Sequence, residues 1–94
     1  LKLTGSAHQK LIQEITKEQK SDDEVLYVRL TMELAEVVPN LSVSGRAPLT
    51  DDKEFEIEGI KILIHEKDLV YFDHAKLDYV SDLLGNKHFK LLKI

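Results

Sequence analysis

Cysteine is absent from all 94 residues. That excludes disulfides, thiolate metal sites and cysteine nucleophiles together, and leaves burial alone to stabilise a small fold. Long runs of proline, glycine or serine are also missing. With 43% hydrophobic and 32% charged residues, the chain has the composition of a globular protein rather than a disordered one. No apolar run reaches the roughly 18 residues of a membrane span, and the opening LKLTGSAHQK lacks the apolar centre of a signal peptide. A soluble, cytoplasmic location is therefore expected. Positive charge is in deficit: 13 Lys plus Arg stand against 17 Asp plus Glu, a net charge of -4. No general field draws in phosphate backbones or anionic lipid, so neither nucleic acid nor a membrane surface is an expected partner.

Ninety-four residues suit one compact core, and no repeat, low-complexity tract or linker divides the chain, so a single domain over residues 1–94 is expected. The opening at Leu1 rather than a methionine points to residues preceding it. From Thr4 to Lys20, the residues Ala7, Leu11, Ile12 and Ile15 fall on one helical stripe. Thr4 or Ser6 can cap this helix, Ser6 with Gln9 matches a capping box, and Lys17 and Lys20 suit the negative end of its dipole. After the turn at Ser21-Asp22-Asp23 the period changes to two. Leu26, Val28, Leu30, Met32 and Leu34 then lie on one side of a strand, and Tyr27, Arg29, Thr31 and Glu33 on the other.

Pro39-Asn40 interrupts the alternation, and a shorter strand is predicted over Leu41 to Ala47. Pro48 to Lys53 reads as a turn, Phe55 and Ile57 alternate with glutamates, and Gly59 marks a turn or bulge. Ile60, Ile62 and Ile64 form the next inward set, followed by the turn Glu66-Lys67-Asp68 and a short apolar piece from Leu69 to Phe72. Leu77 and Tyr79 alternate with Asp78, Gly85-Asn86 supplies a turn, and Phe89 to Ile94 closes the chain as a strand. One helix and about six strands on short turns predict a mainly β (α+β) fold. The expected form is an antiparallel β sandwich or partly closed barrel, with the N-terminal helix over one open face.

Leu3-Thr4-Gly5-Ser6-Ala7 before the helix, and the order Phe55, Gly59-Ile60, Leu69, Tyr71 and Leu77-Asp78-Tyr79-Val80, resemble the HesB/IscA-like iron-sulfur biosynthesis domain. The resemblance implies a HesB-like fold. It also implies thiolates for iron or a cluster, one after the first long strand and a Cys-Gly-Cys pair near the C-terminus. Here the first region, Ala35 to Arg46, offers only Glu36, Asn40, Ser42 and Ser44, and the chain reaches Ile94 without the pair. Nitrogen and oxygen ligands substitute poorly for thiolates in sulfide-bridged iron. The chain thus resembles a divergent, cysteine-free branch of that family.

Other chemistry finds little support. His8, His65, His74 and His88 have no ligand spacing. Asp73-His74 with Asp78 is the most metal-like group, yet polar residues in a turn are ordinarily just solvated. Asp78-Tyr79 reads as structural rather than as an acid-base pair. Ser42 and Ser44 beside Gly45 lack a G-x-S-x-G elbow, and no phosphate-cradling glycine motif exists. No catalytic residue, cofactor or metal ligand is assigned, and an enzyme is not expected. The acidic run Asp51, Asp52, Glu54, Glu56 and Glu58 reads as an edge strand kept soluble, and one of Tyr71 and Phe72 as a contact residue. The expected role is a non-catalytic protein-interaction module linked to iron-sulfur metabolism, with self-association through strand edges open. The alternative is a small-molecule or metal-binding protein with a polar pocket near Ala35 to Arg46 or Asp73 to Asp78.

Overall fold

A computed structural model of the chain describes residues 1–93. Strand β1 (Lys2–Leu3) leads into helix α1 (Gly5–Glu18), followed by β2 (Tyr27–Glu33), β3 (Val38–Ser44), β4 (Asp52–Ile57) and β5 (Ile60–His65). A 3-10 turn over Glu66–Asp68 runs into the single-turn helix α2 (Leu69–Phe72), and β6 (Ala75–Ser81) and β7 (Lys87–Lys93) complete the fold. Two sheets form, one ordered β3-β2-β5-β4 and the other β1-β6-β7, and neither closes into a barrel. Among the described residues no helix is long and apolar enough to cross a membrane.

Of the two caps the sequence offers, Thr4 is the one used: its Oγ1 accepts from the Ala7 N–H at 3.2 Å, whereas Ser6 lies inside α1 and bonds Asp78 instead of forming a capping box with Gln9. Ala7 and Leu11 are fully buried, while Ile12 is 43% exposed and lies off the stripe predicted for it. The core between helix and sheets joins these two residues to Val28, Leu30, Ile60, Ile62 and Ile64 of the larger sheet, Leu77 of β6 and Phe72 of α2. The period-two reading of β2 therefore holds at its centre. It fails at Leu34, which lies beyond the strand end in the β2–β3 turn and is 59% exposed.

The sheets are mixed rather than antiparallel throughout. The pairs β2–β3, β4–β5 and β6–β7 are antiparallel, whereas β2–β5 and β1–β6 run parallel. Strand spacing suggests hairpins, but β3 and β4 lie at opposite edges of their sheet. The connection over residues 45–51 must therefore cross the outer face, and β5 returns in the direction of β2. Leu63 points to the outer face beside Arg29 and is nevertheless fully buried. Pro39 does not interrupt β3 but belongs to it, opposite Met32. The strand is at the sheet edge, where a missing N–H breaks no ladder. The apolar piece Leu69–Phe72 is helical, with Phe72 in the core and Val70 71% exposed. The predicted last strand reaches Ile94, which lies outside the described residues.

Candidate functional site

The family resemblance places its first ligand just after β2, so the β2–β3 turn is the natural place to look for chemistry. Glu33 and Val38 close a four-residue connection, Leu34 to Val37. The Glu33 carboxylate accepts from the Ala35 N–H at 3.1 Å. Val37 has φ +54, a left-handed conformation that a β-branched residue adopts only under strain. Its side chain is 71% exposed. The turn thus presents two apolar side chains, Leu34 and Val37, where cluster-binding domains are expected to present sulfur.

On one side of the turn lies a groove of about 490 Å³ reached by Glu36, Asn40, Lys87 and His88 and floored by Tyr79 and Phe89. The two rings sit 4.8 Å apart at 47°, a tilted arrangement favoured by their quadrupoles. Lys10 of α1 lies 5.4 Å from the Tyr79 ring centroid and 2.8 Å from the Glu14 carboxylate. The Glu14 hydrogen bond raises the Lys10 pKa, and the same bond to Lys10 holds Glu14 below its ordinary value. Both therefore stay charged at neutral pH and occupy each other.

The other sequence candidates are dispersed. Ser42 and Ser44 stand opposite Arg29 and Tyr27 on the outer sheet face, and the Ser44 hydroxyl accepts from the Arg46 N–H at 3.4 Å. Asp73, His74 and Asp78 do not converge. His74, at φ +55, is solvent-facing 3.6 Å from Asp73. Asp78 instead faces the start of α1, where one carboxylate oxygen accepts from Thr4 Oγ1 at 2.7 Å, Ser6 Oγ at 3.0 Å and the Tyr79 N–H at 2.8 Å. His8 contacts the Glu58 carbonyl oxygen, and His65 Nδ1 accepts from the Lys67 N–H. Among the described residues no group of three or more His, Asp or Glu could hold a metal ion.

Asp78 is thus the tie between helix and sheet. The Thr4 hydrogen bond, supported by Ser6 and the Tyr79 N–H, keeps its carboxyl below the ordinary value of 3.8. A depressed folded pKa gives stability that is present above the unfolded value and lost as pH falls through the folded one. Asp78→Ala is expected to cost about 1 kcal/mol at neutral pH and to speed amide exchange in the first turn of α1. The gap to the unmodified protein should narrow as pH drops below 3.8. Urea titrations at several pH values measure both effects.

Residues that composition hides matter most on the outer face. Asp52, read from the sequence as one of a solubilising acidic run, has a side chain only 1% exposed and meets Arg29 Nη1 at 2.7 Å. The same oxygen accepts from the Leu49 N–H at 2.8 Å, which ties the crossing connection to the sheet. Its other oxygen is buried without a hydrogen-bond partner. The Arg29 hydrogen bond, then that from Leu49, lowers the Asp52 pKa against the opposing effect of desolvation. Asp68, read as a turn residue, is 6% exposed. The alternating sequence put Arg29 on the polar face, but nothing in it paired that position with Asp52 across the sheet.

Neither a family model nor a curated protein sequence matches the chain. Solved structures do. The chain aligns over 98% of its length with 83% of Escherichia coli SufA, a protein involved in biosynthesis of iron-sulfur clusters, at a TM-score of 0.73 and 24% identity. It aligns over 98% of its length with 83% of IscA solved with its [2Fe-2S] cluster, at 0.67 and 20%. All of it aligns with 91% of a protein from Aquifex aeolicus solved in solution, at 0.69 and 24%. The chain shares the fold of SufA, of IscA and of the Aquifex aeolicus protein, and it shares that fold without a single thiol.

Proposed function

We propose that this chain is a non-catalytic protein-binding module of cytoplasmic iron-sulfur metabolism, carrying no cluster itself. The observation that carries the reading is the β2–β3 turn. On a fold like that of SufA and IscA, it holds Leu34 and Val37 out to solvent at 59% and 71% exposure. Apolar side chains presented on a short constrained turn bind with little ordering cost, which suits a contact point better than a metal site. Strain at Val37 is consistent with this use, since an unfavourable backbone persists where function needs the side chain. Glycine has no such penalty, so Val37→Gly is expected to raise stability by about 1 kcal/mol in urea denaturation.

The test is recovery of partners from native cells with tagged protein. Iron-sulfur assembly proteins should be enriched over a tag-only control, and the enrichment should be lost when Leu34 and Val37 are both changed to Asp. Recovery of those proteins undiminished by the double change, or no recovery above the control, would overturn the reading.

A further inference from the structure

On the other side of the β2–β3 turn lies a second groove of about 490 Å³, within the size range of small-molecule sites. Its chemistry is divided in an informative way. Met32, Leu34 and Tyr71 provide an apolar wall, while Arg29, His65 and Lys67 bring hydrogen-bond donors from the outer sheet face and the 3-10 turn. Two of the donors are set in place before any ligand arrives. Asp52 fixes the Arg29 guanidinium through a single Nη1 contact, leaving the rest of its planar fork available. His65 Nδ1 accepts from the Lys67 N–H at 3.0 Å, so the neutral ring carries its proton on Nε2.

Asp68 lines the same groove. As a whole residue it is only 6% exposed. It gives no cap to the helix it precedes, and among the described residues its carboxylate forms neither a side-chain hydrogen bond nor an ion pair. Its oxygens are not desolvated, since among the described residues the buried side-chain oxygen without a partner is Asp52 Oδ1. The Asp68 carboxylate is therefore open to a cationic ligand group entering the groove. Arg29 is balanced by Asp52, which leaves Lys67 and Asp68 as one positive and one negative charge within the groove.

We infer that this groove binds a small zwitterion with an apolar body, of the class of free apolar α-amino acids. The ammonium group is received by Asp68, the carboxylate by Lys67 with the Arg29 fork and His65 Nε2–H, and the side chain by Met32, Leu34 and Tyr71. This goes beyond the protein-binding role: the two readings share Leu34, but the charges that recognise the zwitterion come from Lys67, Asp68, Arg29 and His65, so loss of amino-acid binding and loss of protein partners are read separately.

The experiment is a chemical-shift titration of the nitrogen-15-labelled chain with L-leucine, L-methionine and L-phenylalanine in the millimolar range. N-acetyl-L-leucine, lacking the ammonium, and L-leucinamide, lacking the carboxylate, are titrated in parallel. Saturable shifts are expected at Thr31 and from His65 to Tyr71 with at least one amino acid, and each blocked analogue of leucine should bind about tenfold more weakly or worse. Asp68→Asn should weaken leucine by a similar factor while leaving N-acetyl-leucine unchanged. Lys67→Ala, at an exposed position that does not threaten folding, should weaken leucine likewise. The absence of saturable shifts with all three amino acids, or blocked analogues binding as tightly as leucine, would overturn the inference.

Discussion

Phe72→Ala is expected to lower stability by about 4 kcal/mol, the largest loss from any single truncation of this core. Phe72 is the largest fully buried side chain and belongs to the cluster shared by α1 and both sheets. It is the only fully buried residue of α2, whose neighbouring Val70 points to solvent. Removing the ring leaves a cavity that two sheets on short connections cannot collapse to fill. In a domain of this length each kcal/mol moves the melting temperature by roughly 4–8 °C, so a fall of about 20 °C or more is expected by differential scanning calorimetry. A fall of only a few degrees would mean that α2 is not docked as described.

Arg29→Ala is expected to cost about 3 kcal/mol at neutral pH, although Arg29 is itself 22% exposed. The loss comes less from the missing attraction than from the Asp52 carboxylate, 1% exposed and left facing the sheet with no counter-charge. Arg29→Lys should recover only part of the loss, since an ammonium cannot reproduce the planar fork. The pH dependence has a definite sign. Asp52 has a depressed pKa in the folded state, so its contribution is present above the ordinary value of 3.8 and is lost as pH falls through the folded value. The stability difference between Arg29→Ala and the unmodified protein should therefore shrink in acid, as measured by urea denaturation across that range. A constant difference would mean that Arg29 acts through packing alone.

Much of this architecture is legible in the sequence wherever a single local signal suffices. Thr4, one of the two caps the sequence offers, caps α1. The alternation of Val28 with Leu30, and of Ile60, Ile62 and Ile64, identifies inward faces that the structure buries. Gly59 at φ +83 and Glu58 at φ +50 form the two-residue turn joining β4 to β5, the geometry that right-twisted hairpins favour. The resemblance carried by Gly59-Ile60 and Leu77-Asp78-Tyr79 pointed to the fold that the SufA and IscA comparisons bear out.

What escaped the sequence depends on residues far apart in the chain. The parallel pairing of β2 with β5 follows from the path of residues 45–51, which no period or turn motif encodes. Asp52 sits in an acidic run whose other members are solvated, and only the register across three strands sets it beside Arg29. Asp68 looked like an ordinary turn residue because no local pattern marks the 3-10 turn, capped by His65, in which it is buried. Pro39 looked like a breaker because edge position is a property of the sheet, not of the strand. The metal-like grouping of Asp73, His74 and Asp78 dissolves for a simple reason: alternation along β6 turns Asp78 toward α1, away from the turn that holds His74.

The most direct test of the protein-binding role is photo-crosslinking in native cells from a benzophenone side chain at position 34, with a matched probe at Leu49, which is 70% exposed on the connection over residues 45–51. Adducts with iron-sulfur assembly proteins are expected from position 34 and none from position 49. Equal adducts from both positions, or none with such proteins from position 34, would contradict that role.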